Sequence, residues 1–261
     1  MYAFDFEKPA GLDGAADALK DEAAQIVAGG QTLIPTLKQR LNAPSKLVSL
    51  AGIDGLTGVS TDGGTMTIGA MTTHATVASA AGDYPALAGL AGNIGDPSVR
   101  NRGTIGGSVA NNDPSACYPS AVLGSGATVV TNSREIAADD YFTGMFDTAL
   151  DEGEIITAVK FPIPEKAAYM KFEQPASRFA LVGVFVAKTA DGVRVAVTGA
   201  SEDGVFRWSA AEDALNGSFS ANALDGMAPD ADGMISDLHG SAEYRAHIVG
   251  VMTRRAVAAA S

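Results

Sequence analysis

An α+β fold, with strands and helices in separate runs, is what this 261-residue sequence predicts. Three observations lead there. Up to the prolines at Pro162 and Pro164, short helical and strand-like patterns are separated by glycine turns. Beyond them come three apolar stretches of strand length, and the end of the chain reads as helix. Hydrophobic residues make up 46%, enough for a packed core and against disorder.

Element by element, GLDGAADALK predicts a short helix, QIVA at 25–28 a buried strand and GGQT a tight loop. LIPTLKQRL predicts a helix whose first turn accommodates Pro35, and KLVSL a further strand. Residues 56–70, LTGVSTDGGTMTIGA, alternate apolar and turn residues around DGG, a hairpin turn. THATVASAA reads as a helix with a threonine cap, and PALAGLAG as a second short apolar helix. A loop rich in glycine and proline follows, VRNRGTIGGSVANNDPSACYPS at 99–120. PSAVLGSG then predicts a helix, ATVVT at 127–131 a strand, and EIITAVKFPIP at 154–164 a strand ended by two prolines.

A domain boundary is expected here, dividing the chain into 1–165 and 166–261. In the second part AYMKFEQ, ALVGVFVAKT and GVRVAVTGA predict three antiparallel strands, with ADG at 190–192 turning between the last two. In SAEYRAHIVGVMTRRAVAAA, helical spacing puts Tyr244, Ile248, Val251 and Met252 on one face and Arg245 and Arg254 off it. Ser241 is available as its cap.

The formal charge of −12 repels phosphate polymers, so no nucleic acid partner is expected. An anionic ligand must be held by local backbone donors or a few basic residues. The one cysteine, Cys117, excludes internal disulfides, multi-thiolate zinc sites and an iron–sulfur cluster ligated by this chain alone. His74, His239 and His247 form no HExxH pattern, so no metal site is expected. No basic start followed by an apolar run marks a signal peptide. The longest apolar run, FALVGVFVA at 179–187, is too short for a membrane span and reads as a buried strand. A cytoplasmic location without a membrane span is the expectation.

Two loops carry the chemistry. AGGQT (28–32) follows a strand and opens a helix, and TIGGS (104–108) repeats the glycine doublet. One such doublet reads equally well as a tight turn. Two of them, flanked by Thr or Ser, point to backbone amides and hydroxyls holding a pyrophosphate without net positive charge. The Walker loop is absent, since the chain has no Gly-Lys dipeptide. The Rossmann fingerprint is absent too: GSGATV at 124–129 has Val129 at the third glycine position and a strand after it. A dinucleotide held by two separate glycine loops remains.

AGGQTLIPTLKQRL, IGAMTTHATV, VRNRGTIGGSVANNDPSACYP and GEIITAVKFPIP, in that order, resemble the FAD-binding medium subunit of molybdenum hydroxylases, the group of carbon monoxide and xanthine dehydrogenases. The resemblance runs from FEKPA to AEYRAHIVGVMTRRAV. It implies a two-lobed FAD-binding domain of the vanillyl-alcohol-oxidase type, followed by a small domain with an antiparallel sheet and helices. It implies FAD as cofactor, with Ala28, Gly29, Gly30, Gln31 and Thr32 as one pyrophosphate loop. Thr104, Ile105, Gly106, Gly107 and Ser108 would form the other. Thr72 and Thr73 would lie beside the FAD and Ile156 on its adenine side. Lys171 would meet the cofactor edge or the chain covering it, and Phe179 would be the aromatic residue over the flavin ring. Cys117 stands where many relatives have Asp, a position linked to the ribityl chain, and a thiol is the poorer hydrogen-bond partner.

The same resemblance implies partners: a small subunit with two [2Fe–2S] clusters, a large molybdenum-cofactor subunit, and an external electron acceptor such as NAD, a quinone, a cytochrome or oxygen. The chain would then be the electron-transfer subunit of an oxidoreductase, with no catalytic side chain of its own. Two alternatives stand beside it: a stand-alone FAD-dependent oxidoreductase of the same fold, and a structural subunit that has lost its cofactor.

Other residues have plainer readings. Cys117 fits a core or cofactor-side position better than a nucleophile, with no histidine near it in sequence. His74 reads as a polar residue at a helix start, and His239 and His247 as solvent or interface residues. Arg100 and Arg102 suit either phosphate oxygens or local carboxylates, with an ion pair expected for at least one. Asp113 suits the turn that Pro114 continues, or a cofactor contact. Asp139–Asp140 and Asp151–Glu152–Glu154 read as solvated acidic runs. Phe206 and Trp208, after an expected strand, read as core or interface.

Overall fold

The computed structural model describes residues 1–260 and builds them around three main sheets. The first is parallel: Lys46–Ser49 lies between Asp5–Glu7 and Ala24–Val27. Parallel neighbours need crossover connections. The helices Leu12–Ala18 and Leu33–Lys38 lie in those connections. Ala15, Val48, Leu50, Leu56 and Ile155 close the small core of this lobe.

The second sheet is antiparallel, with strands in the order Val59–Asp62, Thr65–Gly69, Ile156–Pro162, Thr128–Thr131 and Glu135–Ala137. The DGG turn sits where the sequence predicts, between Val59–Asp62 and Thr65–Gly69. Ile156–Pro162 is the central strand, with Val159 opposite Ile68 on one side and Val129 on the other. Its one proline, Pro162, is tolerated because it lies at the strand end. Thr73 caps the helix His74–Ala80 by accepting from the Thr76 amide, and Thr104 caps Ile105–Asn111 by accepting from Gly107.

The third sheet orders Lys166–Glu173, Ala180–Thr189, Gly192–Ser201 and Gly204–Arg207, all antiparallel. The sequence predicts three of these strands; Gly204–Arg207 is the fourth, and it contains Phe206. A short ribbon, Phe142–Gly144 with Asp147–Thr148, was likewise not expected from the pattern. Strand alternation gives the third sheet two apolar faces. Phe185, Ala187 and Ala196 share a core with Tyr84, Tyr118 and Phe161 of the preceding region. Val182, Val184, Val195 and Val197, on the opposite face, share one with Trp208, Val249 and Met252. One sheet therefore serves both cores.

The C-terminal helix, Ala242–Ala260, buries Ile248 and Met252 as expected but corrects the rest of that face. Tyr244 is 41% exposed, whereas Arg245 is 3% exposed. The buried stripe runs through Arg245, Ala246, Val249, Met252, Thr253 and Ala256. Small residues let the helix approach the sheet, and Arg245 finds acceptors there that periodicity cannot foresee. Its Nη1 donates to the carbonyls of Leu181 at 2.9 Å and Gly199 at 2.7 Å. Its Nη2 donates to Asp237 at 2.8 Å. Three acceptors on its two terminal nitrogens offset much of the cost of burying the guanidinium, while Nε stays buried without a partner. Ser241 caps the helix weakly, accepting from the Tyr244 amide at 3.3 Å.

Candidate functional site

A cavity of about 490 Å³ opens beside the two glycine loops. Its wall includes the first loop, Ala28 to Thr32, together with Thr104, Gly106, Gly107 and Ser108 of the second. Cys117, Ile156 and Phe179 also line it. The size suits a dinucleotide-scale ligand with part of its length in the open.

The first loop begins where the strand Ala24–Val27 ends and runs into the helix Leu33–Lys38. Gly30 takes φ +71°, a conformation that favours glycine. The amides of Gly29, Gly30, Gln31 and Thr32 donate to no protein carbonyl, although the carbonyls of Gly30 and Thr32 accept from Ile34 and Thr36. Four consecutive donors on a cavity wall form an anion-binding concavity that needs no cation.

The second loop is different. The amides of its helix-forming residues are already used: Ile105 donates to Thr72 O, Gly106 to Ala70 O, and Ser108 to Thr104 O. The Gly107 amide meets Thr104 Oγ1 at 3.2 Å. Its glycines serve close approach. A Cβ on Gly106 would lie 2.5 Å from Ala70 Cβ and 2.8 Å from Ala70 O. A Cβ on Gly29 would lie 2.2 Å from Arg102 O and 2.7 Å from Gly103 Cα. The first loop thus rests on the segment leading into the second, backbone on backbone, and the absence of side chains makes that contact possible.

Four of the residues implied by the resemblance lie off the cavity wall. Thr72 spends its hydroxyl on Gly58, accepting from its amide at 2.9 Å and donating to its carbonyl at 3.1 Å. Thr73 caps its own helix. Ile105 is fully buried in the core. Lys171 donates to Asn93 O and, at 2.9 Å, to Arg178 O. It thereby ties down the segment that carries Phe179, rather than reaching the cavity. Phe179 is 61% exposed at the rim, and Arg178 beside it takes φ +61°. A smaller recess of about 300 Å³, walled by Ile94–Asp96, Val99 and residues 176–179, adjoins the mouth.

His74 lines the cavity as well. Its amide donates to Gly103 O at 3.0 Å, and its ring packs so closely on Gly103 that a Cβ there would lie 2.5 Å from Nε2. Nδ1 is buried without a partner. Burial, reinforced by the Arg100 charge, holds the imidazole pKa down at about 4. The unfolded chain therefore takes up this proton first, and the stability that neutral His74 contributes fades as pH falls from about 6.5 toward 4. In an NMR pH titration the His74 ring resonances are expected to stay at their neutral positions throughout the physiological range. A His74 midpoint near that of free histidine would contradict the burial argument.

Cys117 is 6% exposed, and burial raises its thiol pKa, so it stands protonated and unreactive. Asp113 closes the turn before Pro114 by accepting from the Ser115 amide at 2.8 Å, and it also lines the cavity. Among the described residues neither arginine beside the second loop makes an ion pair, contrary to expectation. Arg100 donates Nη1 to the carbonyls of Ile94 and Gly95, which curl within its reach, and Arg102 is exposed. Glu154 corrects the reading of its acidic run. It is 8% exposed, lines the cavity and accepts from Thr131, Ser133, Arg134 and the Asp151 amide. Asp139, in the other acidic run, pairs with Arg194 and Arg207.

Sequence reasoning missed wall residues such as Leu50, Met71, Ile94, Val99, Leu150 and Ile155. No motif marks them, because they become neighbours only when Ile156–Pro162 inserts into its sheet. Among the described residues no group of side chains could hold a metal ion, and no helix is long and apolar enough to cross a membrane.

A ligand cavity beside two glycine doublets, with unpaired amides on one side and apolar walls around it, defines a dinucleotide-binding protein. The sequence profile of the FAD binding domain in molybdopterin dehydrogenase matches residues 2–164. The chain belongs to this family, and FAD is its cofactor. Over 98% of its length it is 37% identical to the nicotine 6-hydroxylase medium subunit of Paenarthrobacter nicotinovorans, covering 97% of that protein. It is 34% identical to the carbon monoxide dehydrogenase medium chain of Afipia carboxidovorans, over 98% of this chain and 96% of that one. In structure it is similar to a chain of reconstituted CO dehydrogenase from Oligotropha carboxidovorans, with a TM-score of 0.89, 32% identity, and coverage of 99% and 98%. The two-lobed FAD-binding architecture and the role of oxidoreductase subunit expected from the sequence stand with these likenesses.

The residues present fit FAD. Four unpaired amides suit a diphosphate, and aliphatic walls suit the ring systems. The glycine contacts leave room that side chains would fill.

Proposed function

We propose that this chain is the FAD-binding electron-transfer subunit of a heterotrimeric molybdenum hydroxylase. It would receive electrons from [2Fe–2S] clusters on a small partner, which take them from the molybdenum cofactor of a large partner. The electrons would leave to an external acceptor, either NAD, a quinone, a cytochrome or oxygen. Bound FAD supplies chemistry that joins one-electron to two-electron carriers.

One observation carries the reading: residues 29–32 line the cavity, and their amides have no acceptor among the described residues. On this reading Gly29 to Thr32 grip the diphosphate. The second doublet builds the wall behind them and adds the hydroxyl of Ser108. Ile155 and Ile156 pack the adenine end, and Phe179 covers the ring at the rim. Cys117 contributes shape where a carboxylate would have contributed an acceptor. His74, kept neutral, presents no positive charge beneath the ligand. No carboxylate or imidazole pair is poised here for proton transfer, which leaves substrate chemistry to the partners. A cytoplasmic setting is part of the proposal.

The test is reduction in the assembled complex. Substrate added to the trimer should bleach the flavin absorbance, and the same substrate added to this chain alone should not. Turnover of an organic substrate by the chain alone would replace this reading with that of a stand-alone flavin oxidoreductase.

A further inference from the structure

We propose that Thr198 and Gly199, in the third sheet and outside the region matched by the family profile, are positioning residues for the cofactor cavity. The inference rests on the cavity being the FAD site. Asp113, Ser115, Ala116 and Cys117 form one wall of that cavity. Their turn is tied internally, by Ala116 N to Asp113 O at 2.9 Å and by Ser115 N to Asp113 Oδ1 at 2.8 Å. These bonds fix its shape; the preceding Asn112 is tied to the short ribbon through the carbonyls of Gly144 and Asp147, which leaves the far side of the turn to be held from elsewhere.

The turn's own carbonyls are held by the third sheet. Pro114 O accepts from the Gly199 amide at 2.6 Å and from Thr198 Oγ1 at 2.8 Å. The same hydroxyl lies 2.8 Å from Ala116 O, so its one proton is shared between the two carbonyls. Thr198 is fully buried, so water does not compete for these carbonyls at its side. Gly199 can reach the turn because the strand pairing shifts register between Val197 and Ser201 and Gly199 takes φ +84°. A Cβ there would lie 2.6 Å from Ala180 O.

The irregular backbone at Gly199 is held in turn from behind. Its carbonyl and that of Leu181 both accept from Arg245 Nη1. A continuous run of buried hydrogen bonds therefore leads from the C-terminal helix through Gly199 and Thr198 to the wall beside Cys117. The cavity is completed by the third sheet rather than by the glycine loops alone.

The experiment compares full-length variants by FAD titration of the apoprotein and by its thermal unfolding. Thr198→Val keeps the shape and removes the hydroxyl; FAD affinity should fall about tenfold. Thr198→Ser, which restores the donor, should stay within about twofold of wild type. Val195→Ala, in the same sheet but facing the other core, should lower thermal stability and leave FAD affinity unchanged. If Thr198→Val does not fold, Arg245→Lys carries the test, with a loss of about threefold expected.

Wild-type affinity in Thr198→Val, or in Arg245→Lys as its substitute, overturns the positioning role. An equal loss of affinity in Val195→Ala overturns it too, since stability alone would then explain the effect. A wild-type chain that takes up no FAD overturns the cofactor reading itself.

Discussion

Gly29→Ala is expected to leave the protein without its flavin. A methyl group at this position would stand 2.2 Å from Arg102 O and 2.7 Å from Gly103 Cα, both backbone atoms. No rotamer change relieves such a contact. The first glycine loop must move away from the chain entering the second, by about 1 Å to reach ordinary van der Waals distance. The amides of residues 29–32 then lose their common aim. A displacement of that kind costs on the order of 3 kcal/mol, roughly a hundredfold in affinity. Purified Gly29→Ala should therefore be nearly colourless, and added FAD should restore the yellow colour only at high concentration. Gly89→Ala is the control: nothing lies within 4 Å of its ideal Cβ, and it sits in the helix Pro85–Gly92, where alanine is favoured. Full flavin content in Gly29→Ala would sink the proposed role of the first loop.

The second large effect concerns Glu154. Its carboxylate receives Thr131 Oγ1 at 2.6 Å, Ser133 Oγ at 2.8 Å and the Asp151 amide at 2.8 Å. Arg134 adds a two-pronged contact, Nε at 3.0 Å and Nη2 at 2.9 Å. Glu154→Gln replaces one accepting oxygen by a donating nitrogen in a ring of donors. The loss should be roughly 2–4 kcal/mol, lowering the melting temperature by about 5–15 °C in a chain of this size. Thermal unfolding followed by circular dichroism would measure it.

The same donors, Arg134 foremost, bring the Glu154 carboxyl down from an ordinary 4.5 to about 2. A depressed folded-state pKa means that the unfolded chain protonates first. The stabilisation is thus complete above about pH 4.5 and fades as pH falls toward 2. Wild type should lose stability across that window, and Glu154→Gln should lack this part of the slope. Parallel pH profiles for the two proteins would contradict the assignment. Leu150, Ile155 and Ile156 line the cavity on either side of Glu154, so the variant should also weaken FAD binding.

These cases show how much was legible in advance. The cap at Thr73, the DGG hairpin and the turn at Asp113 were readable because each is a bargain between residues a few positions apart; the helix Ile105–Asn111 and its cap at Thr104 lay hidden in a stretch that reads as loop. Ile156 and Phe179 entered through the resemblance, and both line the cavity. Glu154 and Arg245 were misread for one reason. A charged residue in an acidic run or on a helix reads as solvated unless its partners are known. Here the partners come from elsewhere in the fold: Arg134 and the hydroxyls of Thr131 and Ser133 for Glu154, and the carbonyls of Leu181 and Gly199 with Asp237 for Arg245.

By itself the sequence determined the family, the cofactor and the places where glycine makes close backbone approach possible, because these are recorded in local residue types and their order. Only the tertiary structure decided which glycine loop offers free amides. Both doublets have the same composition, but Ala70, Thr72 and Thr104 supply acceptors to the amides of the second, and no carbonyl meets those of the first. Whether a backbone donor is available to a ligand depends on what packs beside it, and that is a property of the assembled chain.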